Sequence, residues 1–119
     1  MELPSFSSFQ PYLLPAAVAA FLLFRHLRYK KVKSELPRLI KDGAIFVDVR
    51  TPGEFSAGAR PGSLNIPLDS LGKRAGELDK EKTIILSCAS GARSGMAARI
   101  LKQQGFKNVI NSGSWQNTL

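Results

Sequence analysis

The chain has one cysteine, Cys88, and the residues around it are the ones equipped for covalent chemistry. Cys88 closes the apolar run Thr83-Ile84-Ile85-Leu86-Ser87. It opens the stretch Ala89-Ser90-Gly91-Ala92-Arg93-Ser94, which is small or polar apart from Arg93. A buried strand ending at the cysteine and a helix starting just beyond it put the sulfur at the carboxyl end of a strand, where open α/β sheets bind ligands. The first turn of that helix offers unpaired N–H groups and a positive dipole end, both of which favour an anion. Ala89, Ser90, Gly91 and Ala92 are small enough for the backbone to curl around the sulfur, and Arg93 adds a fixed positive charge. Surroundings of this kind lower a thiol pKa from ~8.5 toward ~3.5–7.5, so the nucleophilic thiolate becomes the resting form. The plainer reading makes Cys88 a small, inert core residue, as free cysteines often are. Arg93 has its own plain reading as a solvated cation at a helix start. A cation is disfavoured there, so an anionic partner for Arg93 is expected.

The elements that must hold this loop are readable from apolar runs and breakers. Ser34 is placed to cap a short helix with Pro37 in its first turn and Gly43 at its end. Ala44 to Val49 (AIFVDV) reads as a strand buried on both faces. Thr51-Pro52-Gly53 is a turn signal, and a loop-rich stretch follows to Pro67. Asp69 to Asp79 reads as an ill-defined helix and Thr83 to Ser87 as a second buried strand. Ser90 to Gln104 carries Ala97, Ile100 and Leu101 on one helical face, and Gly105 stops it. Phe106 to Ile110 returns to a strand. Alternating strands and helices imply an α/β domain on a mainly parallel sheet.

The formal charge of +8 over 119 residues is concentrated in one place. Arg25, Arg28, Lys30, Lys31, Lys33, Arg38 and Lys41 face a single acid, Glu35, whereas Asp42 to Leu119 holds ten basic residues against seven acidic ones. A local cluster of this sort faces phospholipid or solvent more often than nucleic acid, and no nucleic-acid partner is expected. Immediately before it, Tyr12 to Phe24 (YLLPAAVAAFLLF) carries no charge. Extended back to Phe6, the run is long enough to span a bilayer, at the short end of the range. Positive charge follows the apolar run and does not precede it, unlike a secretory signal. The positive-inside rule then predicts a single-pass anchor with the folded domain on the cytoplasmic side. The expected organisation is a tail over 1–11, an anchor with its basic flank over 12–30, and a folded domain over 34–119. With one cysteine and one distant histidine, His26, neither a disulfide nor a metal ligand set is available.

The motifs, taken in order, resemble the rhodanese (thiosulfate sulfurtransferase) family over about Ser34 to Trp115. Asp48-Val49-Arg50 resembles the family's Asp-x-Arg, and Glu54-Phe55 its following acid and aromatic. Gly58-Ala59-Arg60-Pro61-Gly62-Ser63-Leu64-Asn65-Ile66-Pro67 is similar to its Gly-His-Ile-Pro-Gly-Ala-x-Asn-Ile-Pro segment. Cys88, Gly91, Arg93 and Ser94 match its Cys-x-x-Gly-x-Arg-Ser loop, and Gly113-Ser114-Trp115 its closing Gly-Gly-Trp turn. The resemblance implies a rhodanese-like three-layer α/β fold, with a mainly parallel central sheet flanked by helices and preceded by one transmembrane helix. It implies a sulfurtransferase in which Cys88 takes sulfane sulfur from a small anionic donor such as thiosulfate. Cys88 would hold that sulfur as a persulfide and pass it to a thiol, cyanide or a protein acceptor, without a cofactor. Ala89, Ser90, Gly91, Ala92, Arg93 and Ser94 would bind substrate, with Asp48 and Arg50 supporting the loop or forming a structural ion pair. Ala59 replaces the family's usual histidine and Ser114 its second glycine, so altered loop packing is expected at both. Relatives usually continue into a final helix, and its absence after Leu119 would either cost stability or leave an apolar face for the membrane or a partner. Two rivals remain open. A phosphatase and arsenate-reductase branch of the fold spaces Cys and Arg by five residues, against four here, and a membrane-tethered binding module would use the fold without catalysis.

Overall fold

The computed structural model describes Leu3 and residues 5–119. It opens with one helix, α1, over Phe6–Lys41. There follow β1 (Ile45–Asp48), α2 (Pro52–Ala57), β2 (Leu64–Asn65), α3 (Leu68–Arg74), β3 (Ile84–Cys88), α4 (Ala92–Gln103) and β4 (Val109–Ser114), with single 3₁₀ turns at Ala75–Glu77 and Trp115–Thr118.

The four strands form one sheet in the order β2-β1-β3-β4, and every pair is parallel. β1 and β3 lie in the middle, with Ile45 opposite Ile84 and Asp48 opposite Ser87. Their side chains alternate between two helical layers, as the period of a strand requires. Val47, Val49, Ile84, Leu86 and Cys88 point into the larger core with Leu71 of α3 and Ala97 and Leu101 of α4. Ile85 and Phe46 point the other way, onto Val32, Leu36 and Leu39 of α1. The expected three-layer arrangement with a parallel central sheet is what the chain adopts.

No cap occurs at Ser34. The apolar N-terminal run and the first domain helix form one continuous element, which contains Pro11, Pro15 and Pro37. Ser34 lies mid-helix and its hydroxyl donates back to Lys31 O at 2.6 Å, a bond that lets a serine sit in a helix interior. The helix survives Pro37 because Leu36 and Leu39 beside it are buried against the sheet, each such side chain contributing about 1.5–3 kcal/mol. One phase runs through both halves. Arg25, Tyr29, Val32, Leu36 and Leu39 are the least exposed positions from residue 25 to 40 together with Glu35, and they follow the 3–4 spacing of one helical face. By length and composition, α1 is also apolar and long enough to cross a membrane.

Candidate active site

The sulfur of Cys88 is held where β3 ends and α4 begins, and the residue is 1% exposed. Gly91 caps α4 with φ +107°, a backbone conformation that a side chain disfavours. That turn brings the chain back over the cysteine, so the Gly91 N–H donates to Cys88 Sγ at 2.9 Å. Ser94, one turn into α4, places its Oγ 3.3 Å from the sulfur. The Ser94 hydroxyl also donates to Asn111 Oδ1 at 2.6 Å and lies 3.2 Å from Gly91 O. Asn111 is itself fixed, since its Oδ1 accepts from the Gly113 N–H and its Nδ2 donates to Gly91 O. A hydroxyl has one proton, so Ser94 can turn it from Asn111 to the sulfur as the sulfur ionises.

Burial alone would push the Cys88 thiol up. Hydrogen bonds from the Ser94 hydroxyl and from the N–H groups of Ser94, Gly91 and Ser90 outweigh it, and the thiol lies below its ordinary value. The anionic partner expected for Arg93 is Glu54. Arg93 Nη1 and Nη2 bond its two oxygens at 2.7 and 2.9 Å. The Arg93 guanidinium and then the Thr51 N–H hold the Glu54 carboxyl down to about 2. Glu54 is positioned by a reciprocal cap at the start of α2. Thr51 accepts from the Glu54 N–H while Glu54 accepts from the Thr51 N–H, and Pro52 is the helix's first residue.

At the end of β1, Asp48 and Arg50 form a buried pair closed by Arg50 Nε and Nη2 on both carboxylate oxygens at 2.7–3.0 Å. Arg50 also donates to Gly58 O at 2.7 Å, and its guanidinium stacks 5.2 Å from the Trp115 ring centroid. These bonds tie β1, the segment after α2 and the C-terminal turn together beside the cysteine loop. Among the described residues no side-chain hydrogen bond joins Asp48 or Arg50 to residues 88–94. Among the described residues no group of three His, Cys, Asp or Glu side chains is placed to hold a metal ion.

A family model described as Rhodanese-like domain matches residues 32–117, which include the Cys88 loop between β3 and α4. The chain belongs to the rhodanese-like domain family. Among curated relatives of this rhodanese-like domain, a thiosulfate sulfurtransferase GlpE of Pseudomonas syringae is 32% identical over 84 residues, covering 70% of this chain and 79% of the relative. A sulfurtransferase of Allochromatium vinosum is 37% identical over 70 residues, which is 59% of this chain and 65% of that one. A solved rhodanese from E. coli superposes with a TM-score of 0.60 at 32% identity, covering 63% of this chain and 91% of the other. Across three of the curated relatives it matches, the chain spans 35%, 65% and 54% of their length. Relatives named as sulfurtransferases place sulfur transfer within this family.

In this rhodanese-like domain the predicted loop residues are brought together unequally. Gly91 and Ser94 touch the sulfur, Arg93 faces Glu54, Ser90 turns its N–H to the sulfur with its side chain exposed, and Ala89 and Ala92 are exposed along the loop. Ser90 presents its carbonyl to an Arg25 N–H. Four residues at the site were not assigned there from the sequence. Glu54 had a readable signal in the Thr51-x-x-Glu54 capping box. Tyr29 and Arg25 had one in the helical phase they share with Val32 and Leu36. Asn111 had none, because a polar residue in a strand acquires meaning only from its partners.

Proposed function

We propose that this chain is a sulfurtransferase that moves sulfane sulfur from thiosulfate, or a similar small anionic donor, to a thiophilic acceptor through a Cys88 persulfide. The observation that carries the reading is the sulfur itself, held by the Gly91 N–H at 2.9 Å with its thiol below the ordinary value. The Cys88 thiolate attacks the outer sulfur of thiosulfate. An S–S bond forms to Cys88, the S–S bond of thiosulfate breaks, and sulfite leaves with the electron pair. A thiolate, cyanide or an acceptor protein then takes the outer sulfur, and Cys88 departs as thiolate. Splitting the transfer in two is covalent catalysis, and the N–H groups that hold the thiolate also hold the anionic persulfide. Arg93 has five N–H donors and gives two to Glu54. The others would orient the donor's anionic end; Arg93 also lines a cleft of about 540 Å³ with Val49, Pro67, Leu68 and Asp69.

We further infer that α1 anchors the domain to a membrane as a single pass, with the basic flank and the domain on the cytoplasmic side. The supporting features are its uncharged stretch from Tyr12 to Phe24 and the cations that follow.

Intact mass spectrometry before and after thiosulfate, with Cys88→Ser alongside, tests the chemistry. The expected result is a gain of one sulfur atom that cyanide reverses and the variant lacks. A folded protein that gains no sulfur from any sulfane donor would point to a binding module instead.

A further inference from the structure

α1 leans over the active loop on the face opposite the α4 layer. Tyr29 is wedged there so closely that a methyl group added at Gly91 would meet its Oη at 2.5 Å, and one at Gly113 would meet its ring at 2.6 Å. One turn earlier, Arg25 donates to Ser90 O and stacks 5.6 Å from the Tyr29 ring centroid. Between these side chains and the loop lies a cavity of about 290 Å³, walled by Phe21, Phe24, Arg25 and Arg28 on the helix side. A second cavity, of about 340 Å³, shares Arg28 with the first and continues along α4 to Arg99 and Lys102. Among the described residues no acidic side chain lines either cavity. Among the described residues none of these four cations has a carboxylate partner.

The chemistry of the two ends differs. Toward the loop the lining is guanidinium, which matches phosphate oxygens by paired N–H donors. Toward the N-terminus it is two phenyl rings, Phe21 and Phe24, that are 62% and 66% exposed and belong to the uncharged run. A soluble acid would satisfy the cations and leave the rings in water. A molecule with a phosphate at one end and a hydrocarbon chain at the other satisfies both.

We propose that this cavity is a binding site for an anionic phospholipid, its headgroup phosphate between Arg25 and Arg28 and its acyl chain along Phe21 and Phe24. The inference rests on α1 crossing a bilayer. It goes beyond sulfur transfer, because it sets a lipid phosphate against the peptide wall that cradles Cys88.

The test uses the full chain in lipid nanodiscs of phosphatidylcholine containing phosphatidylglycerol, with native mass spectrometry counting retained phosphatidylglycerol. Arg28→Gln is compared with Lys30→Gln, which removes the same charge from an exposed flank position outside the cavity. The expected result is a loss of retention of about tenfold for Arg28→Gln, equivalent to about 1.4 kcal/mol, with Lys30→Gln close to wild type. Phe24→Ala should weaken retention as well. Equal losses for Arg28→Gln and Lys30→Gln would reduce the effect to general surface charge and overturn the site. Full displacement of the lipid by millimolar inorganic phosphate would make it a free-anion site, which also overturns the proposal. Flotation with phosphatidylcholine vesicles separates the two levels. A chain that does not float has lost the anchor, whereas one that floats without selective retention has lost only the lipid site.

Discussion

Replacing Gly91 by alanine strains the active loop in two ways that can be measured apart. Gly91 holds φ +107°, and an L-residue in left-handed backbone costs roughly 1–2 kcal/mol. The new Cβ would also lie 2.5 Å from Tyr29 Oη and 3.3 Å from Gly113 Cα. Tyr29 cannot simply slide away, since its ring already fills the space over Gly113, and overpacking of this kind costs roughly 1–3 kcal/mol. Together the two effects amount to at least about 2 kcal/mol. For a domain of this size, that lowers the melting temperature by ~10 °C or more. Melting followed by Trp115, the one tryptophan, reads the total. The separation comes from repeating the substitution in a Tyr29→Phe background. The oxygen is then gone and the nearest ring carbon stands at 3.5 Å, an ordinary contact. The backbone strain and the 3.3 Å approach to Gly113 Cα should remain, giving a coupling between the two sites of about 1 kcal/mol. An identical cost in both backgrounds would show that Tyr29 does not press on the loop. A cost near zero in either would show that the loop does not hold Gly91 left-handed.

Four further outcomes are expected. The rate of Cys88 alkylation should titrate with a midpoint below that of an ordinary thiol, and Ser94→Ala should move it upward by removing a hydrogen bond to the sulfur; a wild-type midpoint at or above the ordinary thiol value would contradict the cradle. Glu54→Gln keeps the helix cap, which accepts glutamine, but frees the Arg93 charge, so the thiosulfate KM should fall several-fold with little change in kcat. NMR titration of the Glu54 carboxyl should show the pair intact above pH 4.5 and lost only as pH falls through about 2, because a carboxyl with a depressed pKa loses its partner only when it protonates. Arg50→Ala leaves Asp48 charged and buried, and urea denaturation should show a loss of about 3–5 kcal/mol; a loss under about 1 kcal/mol would mean that the pair is not the brace it resembles.

What the sequence discloses depends on which force shapes each element. β1, β3 and α4 are formed by burial of apolar side chains, so Phe46-Val47, Ile84-Ile85-Leu86 and Ala97-Leu101 announced them nearly to their ends. β4 was displaced. The strand runs over Val109–Ser114, and its buried middle is Asn111, Ser112 and Gly113. Those residues are held by bonds such as Ser112 Oγ to Leu86 O at 2.8 Å, so no apolar pattern could mark it. The helix start read at Ser34 failed for a related reason. Serine and proline signal a boundary through local preference, and in α1 the continuous packing of Tyr29, Val32 and Leu36 overrides that preference. Within the site, Cys88 and its loop were evident from small residues between a strand and a helix. The role of Arg93 was half evident, since the need for an anion was clear but Glu54, 39 residues away, becomes its partner only in the folded chain.

The unbroken course of α1 has a consequence for substrate supply. From Phe24, the end of the uncharged run, to Tyr29, which touches the loop at Gly91, is five residues, or ~7.5 Å of helical rise. That distance is about one Debye length at physiological ionic strength. A bilayer leaflet rich in anionic lipid carries a potential of about −30 mV at its surface, which thins a dianion such as thiosulfate about tenfold there and roughly two- to threefold at the height of the loop. A domain on a flexible tether would swing out of this depleted layer. If α1 crosses the bilayer as proposed, a rigid mast would hold Cys88 inside it, and the proposed turnover on a small anion would then depend on the composition of the surrounding lipid even with every site atom unchanged.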